Sequence, residues 1–183
     1  MRMNCWKAIN LNKQYGHLRM TIFSLMLTLF TFIIIYIPAA YIFTDTMFNN
    51  KVFIIFFTMF ILLYPLHKFF HFLSLLPYND KIKKSLYLKS GFYPIITIQI
   101  NEPISKWACL LALSTPSIVI NSSLILLSFI FTEYAVYLII LLSYHIGLSF
   151  SDMVYIKYVM SSPKNSYIEE NETGIEILVL STD

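Results

Sequence analysis

Charge is what this sequence has least of. Asp, Glu, Lys and Arg together make up 13% of its 183 residues, whereas a soluble domain carries about 25%. With only 4 Gly and 7 Pro, collagen-like and low-complexity chains are excluded. The two cysteines, Cys5 and Cys109, cannot build a disulfide framework, because one precedes the first apolar run and the other opens a later one. A net charge of +3 is too small and too dispersed for a nucleic-acid partner. Neither a Gly-rich phosphate loop nor a G-x-S-x-G elbow occurs. What is abundant is apolar: 57% of the chain is hydrophobic, with 16 Phe and 13 Tyr. A water-soluble single domain is excluded, and the lipid bilayer is the first partner the composition implies.

The apolar residues fall into four runs. Thr21 to Phe43 is free of charge, and at about 1.5 Å per helical residue it is long enough to cross a hydrocarbon layer of roughly 30 Å. It is too long, and starts too late, for a cleaved signal peptide. Val52 to Leu76 follows, interrupted by His67, Lys68 and His71. The last two runs, from about Ala108 to Phe131 and from Tyr134 to Phe150, are separated only by Thr132 and Glu133 and read as a helical hairpin. The second run has an alternative reading as a buried or re-entrant helix, since Lys68 near the bilayer centre is costly. Ending the span near residue 70 instead puts Lys68 at the boundary, where its stem can snorkel, and the full crossing is favoured.

The expected spans are therefore about 21–43, 50–72, 108–131 and 134–151, in one integral membrane domain covering 1–183. Basic residues orient them. Arg2, Lys7, Lys13 and Arg19 precede the first span, and Lys81, Lys83, Lys84, Lys89 and Lys106 crowd the connection between the second and third. The loop at 44–51 holds only Lys51, and the turn at Glu133 holds no basic residue. This alternation places both termini, the loop 73–107 and the tail 152–183 in the cytoplasm of a multi-pass protein of the cell membrane.

Two segments outside the spans read as strands. Phe92 to Ile100 (FYPIITIQI) is β-branched and aromatic, with Pro94 marking an edge strand. Gly174 to Leu180 (GIEILVL) follows an acidic cluster of Glu169, Glu170 and Glu172. The two are expected to pair as a small antiparallel sheet on the cytoplasmic face. The fold class is thus an all-α membrane protein with four transmembrane helices and a small β element at about 92–100 and 174–180.

Ionisable groups within apolar helices are functional candidates. His67 and His71 (HKFFH) stand four apart, on one helix face about 6 Å apart along the axis. Two readings are open for them: nitrogens meeting one metal at about 2.0–2.1 Å, or imidazoles donating to carbonyls of neighbouring helices. Asp152, at the end of the fourth run, needs a partner as well. It can cap a helix, pair with Lys157 or Lys68, or supply the third ligand of a two-His, one-carboxylate zinc site. His145 lies seven residues earlier on nearly the same face. Joint ligation by His145 and Asp152 would need a helix break, for which Gly147 is the candidate, so His145 is better read as supporting a ligand. His17, in a solvated basic segment, is uninformative, and the hydroxyls of the third run (Ser114, Thr115, Ser117, Ser122, Ser123) are read as packing or backbone-bonding groups.

In order along the chain, HKFFH, FYPIITIQINEPISK, HIGLSFSD and the tail SSPKNSYIEENETGIEIL resemble a zincin peptidase family of bacterial membrane proteins, distantly related to the site-2 intramembrane metalloproteases. The resemblance runs from about Trp6 to Leu180. It implies zinc as cofactor, with His67, His71 and Asp152 as its ligands. In active members an H-E-x-x-H motif follows the first histidine with a glutamate, which acts as general base and then as proton donor to the leaving amine. Here that position is Lys68, and a protonated lysine has no acceptor. No catalytic residue is therefore assigned. The expected protein is a catalytically degenerate zincin homologue that binds zinc and holds membrane protein segments, for instance by strand addition at 92–100. The competing reading is a non-enzymatic membrane scaffold or regulatory subunit with no metal, using its polar residues only for helix packing.

Overall fold

The computed structural model describes residues 3–42, 50–89, 93–171 and 174–180. The loop at 44–49, Phe92 and Glu172, which carried expectations above, lie outside them. The chain is mostly helical. Three helices are long and apolar enough to cross a membrane: α2 (His17–Ile42), α3 (Asn50–Leu75) and α4 (Lys106–Ile130), preceded by the short α1 (Leu11–Tyr15). The fourth apolar run is not one helix. It forms α5 (Ala135–Leu148) and α6 (Phe150–Met160), bent at Ser149, and counts as a fourth crossing only if the pair is a single broken span. The break falls two residues beyond Gly147. There the Ser149 N–H and hydroxyl both donate to the His145 carbonyl, at 3.0 and 2.9 Å, and a hydroxyl bonding back to its own helix bends it.

The chain forms two compact units. One comprises His17–His67 and Pro116–Asp152. Its centre is α5, which buries Ala135, Tyr137, Ile139, Leu141, Leu142, Ser143, His145 and Gly147. Ala39 of α2 clusters with Ala135 and Ile139. Further along α2, the Ser24 hydroxyl donates to the Gly147 carbonyl at 2.6 Å. A Cβ at residue 147 would overlap the Thr28 hydroxyl and stand 2.8 Å from the Ser24 carbonyl oxygen, so glycine sets how closely α2 approaches. From α3, Phe56 meets Tyr137 at 5.3 Å and Phe60 stacks on Tyr144 at 4.0 Å. Phe30, Ile54, Ile61 and Leu126 point outward and exposed, the surface that lipid covers in a spanning helix.

The other unit comprises Met1–Gly16, Lys68–Thr115 and Met153–Asp183. It carries all the strands: β1 (Met3–Ile9), β2 (Ile82–Lys89), β3 (Tyr93–Ile100), β4 (Ile104–Ser105), β5 (Ser166–Asn171) and β6 (Gly174–Leu180). Both segments expected to be strands are strands, but they are not each other's partners. β3 forms a hairpin with β2, pairing Ile82 with Ile100 and Lys89 with Tyr93. β6 lies between β1 and β5 in an antiparallel sheet of order β1-β6-β5-β4. In each case the neighbour in sequence takes the edge first, as short connections favour. The larger sheet buries one face, where Ile104, Ile168 and Ile177 stand side by side on adjacent strands and are at most 1% exposed.

Lys106, grouped above with the loop lysines, is buried in this unit. Its ammonium donates to the carbonyls of Met160 and Ser162, at 2.9 and 2.6 Å, and so closes the C-terminal end of α6. Tyr158 of α6 accepts the Lys7 ammonium over its ring at 4.9 Å, and its hydroxyl lies 3.0 Å from that of Tyr15.

β6 starts at Gly174, with φ +149, where a Cβ would overlap the carbonyl oxygen of Ile9 on β1. Backbone conformation and space both exclude a side chain. Gly174→Ala is expected to cost about 2 kcal/mol or more, read as a lowered thermal unfolding midpoint of the detergent-solubilised protein.

Candidate metal centre

Three of the four histidines and Asp152 are buried in apolar helices. His67 and His71 lie one turn apart on the unbroken α3, at 3% and 8% exposure. Asp152 is in the first turn of α6, where the helix N-terminus favours a negative charge. The break at Ser149 starts this new helix three residues before it, and so gives the carboxylate its place.

His67 uses both ring nitrogens. Its Nε2 stands 3.0 Å from Asp152 Oδ2. Its Nδ1 stands 3.1 Å from His145 Nε2, and His145 Nδ1 stands 2.7 Å from Asn121 Oδ1 on α4. The protons along this chain are assigned from its far end. An amide oxygen only accepts, so His145 Nδ1 carries the hydrogen and the neutral ring's Nε2 accepts. His67 Nδ1 must then donate, and its Nε2 either donates to the carboxylate, as an imidazolium, or carries the lone pair that a metal would take. His71 Nδ1 lies 2.9 Å from the Ala112 carbonyl, to which it donates. Each imidazole thus has its Nδ1 bonded to an acceptor on another element, the arrangement that orients metal-ligating histidines.

The ligand-capable atoms of His67, His71 and Asp152 all lie within 4.8 Å of one another. Atoms sharing one zinc at 2.0–2.1 Å stand no more than about 4.2 Å apart, so the three are close to that spacing. The donor set, two neutral imidazoles and one carboxylate, is borderline-soft and matches zinc rather than the all-oxygen sites of magnesium or calcium. The residues present fit the metal.

The structure brings together all three residues that the resemblance implies as ligands, and it puts His145 in hydrogen-bond contact with His67. His17 is apart from them, at the start of α2, beside Thr21. The hydroxyls of Ser114, Thr115, Ser122 and Ser123 bond back to carbonyls of their own helix, at 2.6–2.7 Å for the shortest bond of each. Sequence reasoning passed over two participants, the Ala112 carbonyl and the Asn121 side chain; a backbone carbonyl leaves no signal in the sequence, but Asn121 does. Its signal was available as an amide among apolar residues of a span, next to two serines that turned out to be self-satisfied.

A family model described as "Putative zincin peptidase" matches residues 60–167, a stretch that contains His67, His71, Asn121, His145 and Asp152. No curated protein and no solved structure matches the chain.

Asn121 fixes the first proton of the chain that ends at His67 Nε2. Asn121→Leu removes the acceptor and is expected to weaken zinc binding about 10–100-fold, the usual loss for such an outer partner. Competition against a chromophoric chelator checks it.

Proposed function

Because the chain belongs to the putative zincin peptidase family, we propose that it is a membrane-embedded zincin homologue that binds one zinc ion through His67, His71 and Asp152 and does not hydrolyse peptides. The observation that carries this reading is the convergence of one ring nitrogen from each of His67 and His71 and an Asp152 carboxylate oxygen within 4.8 Å of one another. Zinc, when bound, supplies Lewis acidity to polarise a carbonyl. The chain's own residues hold it: His145 and Asn121 keep His67 in the ligating tautomer, and the Ala112 carbonyl does the same for His71.

The missing part is the proton carrier. A general base contributes about 10²–10⁴-fold in rate, and the residue after His67 is Lys68. A lysine ammonium donates and cannot accept, and it adds positive charge beside a dication. A protein of this kind retains recognition without turnover. With the basic segments on the cytoplasmic side, the centre would face the inner leaflet and hold a membrane protein segment there. β3 pairs with β2 along one edge, and no described strand pairs with its other edge, which leaves that edge for an extended chain.

A second reading is favoured by the same short contacts. The His67–Asp152 pair at 3.0 Å and the bond from His67 to His145 also satisfy these groups with no metal, as a polar lock in a metal-free scaffold. Metal content separates the two. The protein purified in mild detergent is expected to hold one zinc per chain, as a mononuclear site requires, and to lose it on His67→Ala and on Asp152→Ala. Wild-type protein without zinc decides for the scaffold.

Lys68→Glu restores the H-E-x-x-H pattern. It is expected to introduce zinc-dependent cleavage of unstructured or transmembrane peptide substrates, absent from wild type and abolished by His71→Ala. Cleavage by the wild-type protein itself, lost on His67→Ala, would refute the inactive assignment.

A further inference from the structure

β1 is the outer strand of the larger sheet, and its register on β6 slips once. Met3, Asn4 and Cys5 oppose Leu180, Val179 and Leu178, whereas Lys7, Ala8 and Ile9 oppose Ile177, Glu176 and Ile175. Trp6 is therefore the extra residue of a β-bulge, and it is 46% exposed. Continued without the slip, the first register would set Lys7 across from Glu176, an opposite-charge pair. The bulge sets Lys7 across from Ile177 instead, on the other face of the strand. There its ammonium meets a ring in place of a carboxylate, 4.9 Å from the centroid of Tyr158.

Tyr158 extends this surface. Its hydroxyl lies 3.0 Å from that of Tyr15. Lys157, next to it on α6, is exposed, and with the exposed Met153 and Met160 it forms a stripe at i, i+4 and i+7. Both tyrosines mark helix ends: Tyr15 stands two residues before α2 begins and Tyr158 two residues before α6 ends. Ammoniums beside tyrosine and tryptophan rings at the ends of apolar helices are the composition of a membrane–water boundary.

We propose that Trp6, Lys7, Tyr15, Lys157 and Tyr158 form a docking surface for anionic phospholipid headgroups, which seats β1 on the cytoplasmic leaflet. Charge selects the occupant. The bulge withholds Lys7 from Glu176, a ring does not neutralise an ammonium, and a leaflet rich in anionic lipid attracts basic residues at its surface. Tyr and Trp rings settle at headgroup depth beside them. A second copy of the chain is the poorer occupant, because a bulge and a lysine both blunt an edge strand against pairing. Zinc plays no part in this contact, which holds whether or not the ligand set is loaded.

The fluorescence of Trp6 tests this in the full-length protein. Trp107→Phe, at a side chain 70% exposed, leaves Trp6 as the sole tryptophan. The protein is reconstituted into phosphatidylcholine nanodiscs doped with brominated phosphatidylglycerol or brominated phosphatidylcholine, which quench a tryptophan they touch. The brominated phosphatidylglycerol is expected to quench preferentially at low salt, and aqueous iodide to quench weakly. Lys7→Gln and Lys157→Gln are each expected to lower the preference about fivefold, the worth of one basic residue at an anionic surface. Lys7→Arg and Lys157→Arg are expected to keep it, and high salt to reduce it. Equal quenching by the two lipids overturns the proposal, as does a preference that survives both Lys→Gln substitutions. A Trp6 reached by iodide and by neither lipid overturns it as well. Shielding from lipid and iodide alike would assign the surface to a second copy, and that also overturns it.

Discussion

A buried imidazole held against a buried carboxylate, His67 Nε2 to Asp152 Oδ2 at 3.0 Å, is the contact on which the rest of this molecule depends. Neither group can be left alone in an apolar helix. An ionised carboxylate out of water costs several kcal/mol or more unless it is paired or coordinated. The chain meets this demand with structure. α5 stops at Ser149, so that Asp152 lies in the first turn of a new helix. Asn121 and His145 are spent on orienting His67. Gly147 keeps α2 close against α5, two residues from that junction, because no side chain would fit beside Thr28. Removing one partner of a buried pair typically costs about 3–5 kcal/mol, so this cluster resists single changes whether or not metal sits in it.

How much of this could be read in the amino-acid order follows from which interactions are local. The long helices were legible because an uncharged run such as Thr21–Phe43 has few other options in water or lipid. HKFFH was legible because a four-residue spacing on a helix is a geometric fact once the helix is granted. The pairing of strands was not. GIEILVL reads as a strand on its own, but its partners on either side are SYIEEN and the segment MNCWKAI, whose near-complete exposure gives no alternation to recognise. Lys106 looked like one more cytoplasmic lysine, and only the fold shows its ammonium closing the end of α6. Asn121 was hidden for a related reason: its role is defined by a ring on another helix, twenty-four positions away.

The partners of the two rings lie on other elements. The Ala112 carbonyl takes the Nδ1 proton of His71, and the His145–Asn121 chain takes that of His67. A metal site requires its histidines to be oriented in this way. A metal-free cluster is satisfied by the same contacts when the His67 ring carries both protons and donates from Nε2 to Asp152.

His67, His71 and Asp152 are each in contact with a residue on another element, so drift at any one of them destabilises buried polar groups and is resisted. A side chain at 68 lies about 100° round α3 from that at 67, away from the ring contacts that hold His67, and nothing in packing demands a carboxylate there. An ammonium at that point leaves the helix, the ring contacts and the break at Ser149 intact.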